Sequence, residues 1–420
     1  PSAGYTTVVN PAGKSRVVKH DASFQITEVN NEQNNSRRFV QTPDHQIDSL
    51  IDENNNEYKF YNTPDGHVYK SVDPLLNSDS TGYTSFGRPV YQRDKEGNAT
   101  TIAYSSTLNP TTITLANSGA IQIQYDQFGQ DTATTDQLNH KTKKSFSSFG
   151  DITKISKYYS FDSLIYDAAG RPVIHINGRG YADSIQYNHY GQPVRIVDQM
   201  GKQELFTYDP NGNMISYTDK DGIVTNFYYD AKDRLVRVVK AGVIIKELVW
   251  DVMDYLIRVR DANKNCRIIT NDELGRPIVV ADSVLGMLAQ YGYDAAGNQI
   301  LYKNSHGQSW ITKFDKLNQP IGVKNPLGDS TITIRNKNGL PIEDINELGK
   351  STKYSYNPIN VLVRTIGKNL DTVLIFPNLK GLPDSIRDAR RFYRRTTYDE
   401  DDRPKTYDEG YGLHQFFYDA

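Results

Sequence analysis

The chain has 420 residues, with 48 Lys+Arg against 50 Asp+Glu and a formal net charge of −2. This balance provides no basic surface for a nucleic-acid backbone or an anionic membrane, and no stretch approaches the roughly 18 apolar residues of a spanning helix. The single cysteine, Cys266, excludes an internal disulfide and a cysteine-rich zinc site. We therefore expect no nucleic-acid partner and no membrane segment within this chain.

The N-terminal fifth of the chain carries a weak periodic pattern. Residues 1–17 are predicted to be a lead-in segment. A Phe-x-x-Thr-Pro-Asp motif then begins at Phe39 and again at Phe60, 21 residues later, and Gly66 precedes Gly87 by the same interval. The pattern predicts degenerate repeats over residues 18–82 that continue into regular repeats over 83–420. Because the chain stops part-way into another turn, we expect it to be a segment of a longer protein.

From residue 83 a 21-residue repeat dominates the sequence. A glycine slot recurs sixteen times between Gly87 and Asp402, and Gly, Asn or Asp fills every slot except that of Leu108. These residue types tolerate a left-handed backbone. Three residues before every slot stands Asp, Asn, Ser or Thr, whose side chain can bond its own backbone in a turn. Each repeat is therefore predicted to contain one such turn, here called the first turn.

A second turn is predicted about ten residues after the slot. Glycine marks it in eight repeats, at Gly97, Gly180, Gly201, Gly222, Gly307, Gly328, Gly349 and Gly412. Two turns in 21 residues leave two segments of about six residues, which is a strand length and too short for a helix. Proline stands two residues past the slot in nine repeats, where a strand can begin without an N–H: Pro89, Pro110, Pro172, Pro193, Pro277, Pro320, Pro341, Pro383 and Pro404. Each repeat is predicted to be a β-hairpin.

The other strand of each hairpin ends in an aromatic residue at thirteen of sixteen positions, and these rings are predicted to form a ladder along the sheet. Asn271, Arg335 and Pro377 occupy the three degenerate positions. The aromatic, turn and glycine residues of the best-preserved repeats are predicted to be structural: Tyr166, Asp167, Gly170, Tyr187, Gly191, Tyr208, Asp209, Gly212, Tyr229, Asp230, Tyr293, Asp294, Gly297, Tyr398 and Asp399.

No residues stand out as catalytic, cofactor-binding or metal-binding. A catalytic carboxylate pair needs two special residues, whereas the turn carboxylates belong to a class that is repeated sixteen times. Asp219 and Asp221 resemble the start of a calcium loop, but the acid at its twelfth position is missing as an independent ligand. An arginine cluster at 387–395 is either a solvated strand and turn balanced by the acids at 400–402 or an electropositive patch. We expect no enzymatic activity and no cofactor.

The motifs YDAAGRP at 166–172, YDPNGN at 208–213, YDAAGNQ at 293–299 and YDEDDRP at 398–404 resemble the YD repeats of the rearrangement-hotspot (Rhs) family, which also occur in insecticidal toxin-complex proteins and teneurins. The resemblance implies an all-β fold in which hairpins join into one long antiparallel ribbon that spirals into a hollow shell. Such shells commonly enclose a C-terminal toxin in bacteria and serve adhesion in teneurins. The family's C-terminal cleavage signature is not found in this chain.

Strand geometry alone leaves the curvature of the ribbon open. Nearly 40 strands spaced about 4.8 Å apart give a ribbon of roughly 190 Å, which must curl. A hollow shell, a stacked solenoid and a propeller all reuse a hairpin. With the resemblance, we expect a non-catalytic shell segment of a large secreted or cell-surface bacterial protein that encloses and delivers a toxin or other cargo. Its expected partners are the remaining parts of the same longer chain, namely the cargo and capping domains. A surface adhesion or glycan-binding module is the alternative, and an enzyme acting on polysaccharide is the third hypothesis.

Overall fold

The computed structural model describes residues 4–418, which form 40 β-strands and no helix. Strands of mostly five or six residues alternate with short turns throughout. The predicted all-β fold class is therefore confirmed. No helix in the described residues is long and apolar enough to cross a membrane.

Most strands begin ten or eleven residues after the start of the preceding strand. The first twenty are β1 Gly4–Val9, β2 Ser15–His20, β3 Ile26–Asn30, β4 Ser36–Gln41, β5 Ile47–Ile51, β6 Glu57–Asn62, β7 Val68–Val72, β8 Ser78–Tyr83, β9 Pro89–Arg93, β10 Ala99–Tyr104, β11 Pro110–Thr114, β12 Ala120–Tyr125, β13 Asp131–Thr135, β14 Lys141–Phe146, β15 Ile152–Ser156, β16 Phe161–Tyr166, β17 Pro172–Ile176, β18 Ala182–Tyr187, β19 Pro193–Val197 and β20 Gln203–Tyr208.

The remaining twenty are β21 Met214–Thr218, β22 Val224–Tyr229, β23 Leu235–Lys240, β24 Val243–Trp250, β25 Leu256–Asp261, β26 Cys266–Asn271, β27 Pro277–Asp282, β28 Gly286–Tyr293, β29 Gln299–Asn304, β30 Ser309–Phe314, β31 Pro320–Lys324, β32 Ile332–Arg335, β33 Pro341–Ile345, β34 Ser351–Tyr356, β35 Leu362–Ile366, β36 Thr372–Pro377, β37 Pro383–Arg387, β38 Tyr393–Tyr398, β39 Pro404–Asp408 and β40 Leu413–Gln415. All nine prolines predicted to begin strands do so.

Neighbouring strands in the chain pair antiparallel to form a long open ribbon. β1–β31 belong to one sheet and β32–β40 to a second. In the hairpin of β16 and β17, Leu164 pairs with His175, and the register shifts between Ile165 and Tyr166 so that Tyr166 faces Pro172. The same shift precedes Tyr187 and Tyr208. Each of these bulges lies where the tyrosine enters the first turn.

The backbone of the first turns is left-handed at the predicted residue. All sixteen glycine slots have positive φ, including Leu108 with φ 63°. This prediction is confirmed. Upstream, Phe24, His45 and Gly66 continue the series of first turns. Seven of the eight glycines assigned to second turns also have positive φ; Gly412 lies in the last second turn, but the positive φ there falls on Gly410.

All first turns therefore lie along one edge of the ribbon and all second turns along the other. We call these the first-turn edge and the second-turn edge. The first-turn edge consists of the turns that begin at residues 21, 42, 63, 84, 105, 126, 147, 167, 188, 209, 230, 251, 272, 294, 315, 336, 357, 378 and 399. The second-turn edge consists of the turns that begin at residues 10, 31, 52, 73, 94, 115, 136, 157, 177, 198, 219, 240, 261, 282, 304, 325, 346, 367, 388 and 409.

The sheet has little buried core. The accessible surface is 25369 Å², whereas a compact monomer of this mass would expose about 16,000 Å². Ala133, Val238, Leu248 and Ala289 are the buried hydrophobic residues among those described. Strands such as β20 alternate exposed and half-buried side chains. Most apolar side chains are therefore only partly covered, as expected for a single sheet layer.

The described ribbon divides into two compact units. Among the described residues, the first unit contains 4–99, 248–355 and 366–370, and the second contains 100–247, 356–365 and 371–418. Each unit combines hairpins that are far apart in the chain.

Candidate functional site: turn nodes and seams of the ribbon

The predicted turn aspartates bind the backbone of their own turns. The Oδ1 atom of Asp167 accepts hydrogen bonds from the N–H groups of Ala169 (2.9 Å) and Arg171 (3.0 Å). Gly170 provides the left-handed residue with φ 75°, and its N–H donates to the Asp167 carbonyl at 3.0 Å. The second carboxylate oxygen of Asp167 accepts from Arg171 Nε at 2.8 Å. One side chain thus satisfies several backbone groups that a tight turn would otherwise leave unpaired.

The same arrangement recurs at the other predicted aspartates. Asp209, Asp230, Asp294 and Asp399 each bind the N–H of the residue four positions later at 2.8–3.1 Å. The side chain of that residue also donates to their second carboxylate oxygen, from an Asn or an Arg: Asn213, Arg234, Asn298 and Arg403. Gly191, Gly212 and Gly297 have positive φ. These carboxylates are engaged in turn structure.

The predicted tyrosines tie each hairpin to the preceding strand. The hydroxyl of Tyr208 donates to the carbonyl of Pro193, fifteen residues earlier, at 2.8 Å. Equivalent bonds of 2.7–3.1 Å run from Tyr166 to Ile152, Tyr187 to Pro172, Tyr229 to Met214, Tyr293 to Pro277 and Tyr398 to Pro383. The acceptor lies at or near the start of the partner strand, where the bulge changes the register. The tyrosine hydroxyl therefore helps to satisfy the carbonyl next to each bulge.

Two of the three degenerate positions keep this contact without an aromatic ring. Asn271 donates from Nδ2 to the carbonyl of Leu256 at 3.1 Å, and Arg335 donates from a guanidinium nitrogen to the carbonyl of Pro320 at 3.1 Å. Pro377 has no side-chain donor. The slot therefore often supplies a donor to this carbonyl, from tyrosine, asparagine or arginine, although Phe146 and Phe314 in the same slot have no donor.

The residue that follows the glycine slot has a role that the sequence did not predict. Arg171 donates to the carbonyl of Asn188 in the next repeat at 3.1 Å, and its guanidinium lies 4.9 Å from the Tyr187 ring centroid. Arg276 lies 4.6 Å from the Tyr293 ring in the same way. At these two positions an arginine, and not a neighbouring ring of the predicted ladder, contacts the tyrosine. The sequence signal that could have revealed this role is the recurrence of Gly-Arg, Gly-Asn and Gly-Gln pairs at the glycine slot and the residue after it.

The turn network lowers the pKa of its carboxyl groups. The side chain of Arg234, aided by backbone N–H groups and opposed by burial, lowers the pKa of Asp230 from 3.8 to about 2. Hydrogen bonds from the side chain and backbone of Arg171 lower the pKa of Asp167. For Asp399, burial raises the pKa, but the backbone and side-chain hydrogen bonds of Arg403 outweigh it, so the net shift is downward. These groups are held in the charged form.

A lateral seam joins the two ribbon edges within the first unit. Gln33, on the second-turn edge, donates to Asp272 at 3.2 Å and Glu273 at 3.1 Å and accepts from Arg276 at 2.8 Å. Asn54 donates to Asp294 at 2.9 Å. Further contacts run from Asn318 to Asp52, from Asn338 to Asp94 and from the Lys337 N–H to Glu96. Turns about 240–266 residues apart are thereby joined.

The second unit contains a seam of the same polarity. Asn117 donates to the Leu379 carbonyl at 2.9 Å, and Ser160 donates to Asp401 at 2.8 Å. Lys380 donates to Asp136 at 2.7 Å and also binds Asp402. In both units the second-turn edge contacts the first-turn edge. No periodic sequence signal predicted these contacts.

One group in this second seam has the side chains of a metal site. Asp136, His140 and Asp402 could each offer a ligand atom. The Lys380 ammonium already binds both carboxylates, and these two hydrogen bonds outweigh burial and raise its pKa. A bound cation would have to displace this ammonium. The arrangement is accounted for as a half-buried ion-pair cluster that joins the two edges.

The other chemical candidates are also engaged in local structure. Asp219 caps a second turn through the N–H groups of Asp221 and Ile223. Cys266 is half-buried in β26. Within the arginine cluster, Arg390 and Arg394 lie 3.6 and 4.0 Å from Asp388.

Comparison with known proteins agrees with this repeat. The RHS Repeat family model matches residues 187–224 and 208–242. The fold is similar to the crystal structure of TcdB2-TccC3, with a TM-score of 0.65 and 11% identity over 96% of this chain and 29% of that one. It is also similar to TcdB2-TccC3-TEV, with a TM-score of 0.63 and 12% identity over 96% of this chain and 26% of that one. No curated protein sequence matches the chain.

The fold and its hydrogen-bonded turns are those of a repeat protein that is built as a ribbon of β-hairpins. The repeats at residues 187–242 match the RHS Repeat family model, which confirms the resemblance inferred from the sequence for that part of the chain, and the similarity of fold covers 96% of the chain. The chain spans less than a third of the length of the TcdB2-TccC3 chain that it resembles.

The tyrosine contact can be tested by removing one hydroxyl. Tyr208→Phe leaves the Pro193 carbonyl without its 2.8 Å donor, and we expect a loss of about 0.5–1.5 kcal/mol in the free energy of unfolding. Tyr190→Phe is the matched control, because Tyr190 is a 74% exposed turn residue. Urea denaturation followed by circular dichroism measures both. Equal stabilities for the two variants would contradict the assigned role.

The charged turn predicts a pH dependence with a definite sign. Because the pKa of Asp230 is about 2 in the folded state and 3.8 ordinarily, its charge stabilises the fold above pH 3.8, and this contribution is lost as pH falls through 2. Asp230→Asn should retain the bonds from Lys232 and Arg234 N–H groups but lose the ion pair. At pH 7, amide hydrogen exchange in residues 229–236 should be faster in Asp230→Asn than in the wild type. The difference between the two exchange rates should become smaller as the pH approaches 2. Asp221→Asn, in an exposed turn, is the control. Its exchange rates should not approach those of the wild type as the pH falls.

The seam is tested by two substitutions at equivalent turn positions. Asn54 and His306 both stand two residues after the start of a second turn, but Asn54 bonds across the seam, whereas His306 is exposed. Asn54→Ala should cost about 1–3 kcal/mol, because it removes a hydrogen bond to the charged carboxylate of Asp294. His306→Ala should change stability by less than about 0.5 kcal/mol. If the seam contributes nothing to stability, Asn54→Ala and His306→Ala will have equal melting temperatures.

Proposed function

We propose that the chain is a non-catalytic wall segment of a large exported bacterial Rhs/YD-repeat protein, secreted or at the cell surface, that encloses and delivers an attached polypeptide. The observation that carries the proposal is the single-layer hairpin ribbon whose two edges bond to each other. Within each unit, turns that join one edge of the sheet to the other would leave no gap between the hairpins that they connect. Its mechanism is steric and requires no reacting side chain.

The polar side chains are consistent with a wall and not with a reaction site. The turn carboxylates bind backbone N–H groups and the tyrosine hydroxyls bind backbone carbonyls, so their hydrogen-bonding capacity serves the ribbon itself. The same contacts recur from repeat to repeat. A wall requires this uniformity, because one weak hairpin would open it.

The similar structures support the proposal through their names. They include TcdB2-TccC3-Cdc42, with a TM-score of 0.57, and TcdB2-TccC3 without a hypervariable C-terminal region, also with 0.57. TcdB2-TccC3 thus occurs in combination with a further polypeptide. For this chain, an enclosed polypeptide and capping domains are the proposed partners.

A second candidate is an open surface module that binds glycans or surface proteins. Exposed tyrosines favour it, including Tyr158, Tyr190 and Tyr411 with 70–82% exposure. In such a module both faces of the sheet are accessible. In an enclosing wall only one face is accessible from outside.

Cysteine labelling in the full-length gene product distinguishes the two candidates. Thr142 and Ser145 lie on opposite faces of β14, because strand residues alternate between faces. Thr142→Cys and Ser145→Cys are introduced separately into a Cys266→Ser background. An enclosing wall should let a maleimide attached to a large polymer react at one position only, whereas a small maleimide reacts at both. Equal reaction of both positions with the large reagent would refute enclosure.

A further inference from the structure

The two faces of the sheet differ in charge along β10–β23 and the start of β24. Residues that pair across neighbouring strands share a face, as do alternate residues along a strand. Asp131, at a bulge, is paired with Lys144. Away from the bulges, one face carries five basic side chains and one acidic side chain among the described residues: Lys141, Lys143, Lys154, Arg195, Arg237 and Glu247. We call it the basic face.

The opposite face of the same strands is balanced in charge. It carries three lysines, three acids and one histidine: Lys144, Lys240, Lys246, Asp162, Asp183, Glu204 and His175. Many other acids of the chain cap turns at the edges of the ribbon, as Asp167 and Asp209 do. The near-neutral charge of the whole chain therefore did not reveal the basic face.

Three lysines of the basic face form a cluster on two neighbouring strands. Lys141 and Lys143 are alternate residues of β14, and Lys154 lies on β15 opposite Ser145. All three lysines are exposed, and none has a carboxylate partner among the described residues. Neighbouring strands are about 5 Å apart and alternate residues about 7 Å apart, so the three ammonium groups repel one another. The cluster therefore favours a partner with several negative charges.

Arg195 and Arg237 extend the basic face beyond this cluster. Together with Lys154 they occupy the same position of their repeats, four residues after the glycine slot, on β15, β19 and β23. Each is four strands, or roughly 19 Å, from the next. A row of cations in one register with this wide spacing fits an extended anionic chain that runs across the strands. A compact anion would reach only the lysine cluster.

The side chains between these cations are mostly uncharged and polar. Hydroxyl and amide groups lie on the same face in neighbouring strands, including Ser145, Ser156, Ser163, Gln186, Gln203 and Ser216. Such groups both donate and accept hydrogen bonds, as the hydroxyl groups of a sugar do. The basic face therefore offers cations for acidic groups and hydrogen-bonding partners for the hydroxyl groups between them.

The aromatic rings of the basic face are covered by its own cations. The Nζ atom of Lys154 lies 4.6 Å from the ring centroid of Phe161, and the guanidinium of Arg237 lies 4.2 Å from that of Tyr228. Proteins that bind single-stranded nucleic acid stack the bases on accessible aromatic rings. A ring under a cation is not accessible in this way, so the face is better suited to a sugar polymer than to a nucleic acid.

We propose that the basic face binds an acidic polysaccharide as an extended chain that lies across the strands. Carboxylate groups of the polymer contact the lysine cluster, Arg195 and Arg237, and its hydroxyl groups bond to the serine and glutamine side chains between them. This binding goes beyond the proposed wall function and does not require it. Labelling at Ser145, which lies on the basic face, reports separately whether this face is reachable from outside in the full-length gene product.

Binding of the 420-residue chain to immobilised polygalacturonate, measured by biolayer interferometry, tests the proposal. The wild type should bind at low salt and more weakly as salt rises, because the range of surface charges falls to about 8 Å at 0.15 M. Lys143→Gln with Lys154→Gln should weaken binding by about tenfold or more. Lys240→Gln with Lys246→Gln removes the same charge from the opposite face and should change binding by less than about twofold. Circular dichroism verifies that both variants are folded.

A second variant and three other polymers test the extended chain and its class. Arg195→Gln with Arg237→Gln should weaken binding of the polymer but leave binding of trigalacturonate unchanged, because the short oligomer reaches only the lysine cluster. Neutral dextran, polyglutamate and single-stranded DNA should bind more weakly than polygalacturonate. A wild type that does not bind polygalacturonate overturns the proposal, as does equal weakening by the two lysine variants. Equal or tighter binding of any of the other three polymers overturns the acidic polysaccharide as the occupant.

Discussion

A single layer of β-sheet has no second layer to pack against, and the rest of this structure follows from that constraint. Only a few apolar side chains are buried, and the accessible surface far exceeds that of a compact protein of the same mass. Hydrophobic burial, which usually dominates folding, is therefore limited here. Polar contacts at the strand ends help to hold each hairpin to the next.

These polar contacts are organised by the geometry of the turn. A left-handed residue at Gly170 closes the turn, Asp167 satisfies its N–H groups, and Arg171 extends the network to the next repeat. The bulge before Tyr166 directs its hydroxyl to the Ile152 carbonyl. Charge-assisted and buried hydrogen bonds are costly to lose, so the motif is held together as one unit. This explains why the motif recurs with so little variation.

The seams show a different use of the same turns. Asp294 bonds to its own turn through Asn298 and also to Asn54, some 240 residues away. A turn can thus be complete in itself and still join a second part of the ribbon. The exposed turns at Leu327 and Leu348 have the same Asx-capped backbone. The turn backbone is uniform, whereas the residue at the tip varies from turn to turn.

Sequence alone determined the hairpin, its period, its turn backbone and the nine prolines that begin strands, because each depends on residues only a few positions apart. The left-handed slot was correct even at Leu108, since the surrounding repeat imposes the turn. The role of the tyrosine position as a donor, shared by Asn271 and Arg335, required the structure, because it depends on where the bulge directs a side chain. The seams were decided by tertiary structure alone. Their partners are separated by some 240 residues, and no local residue pattern encodes a contact over that separation.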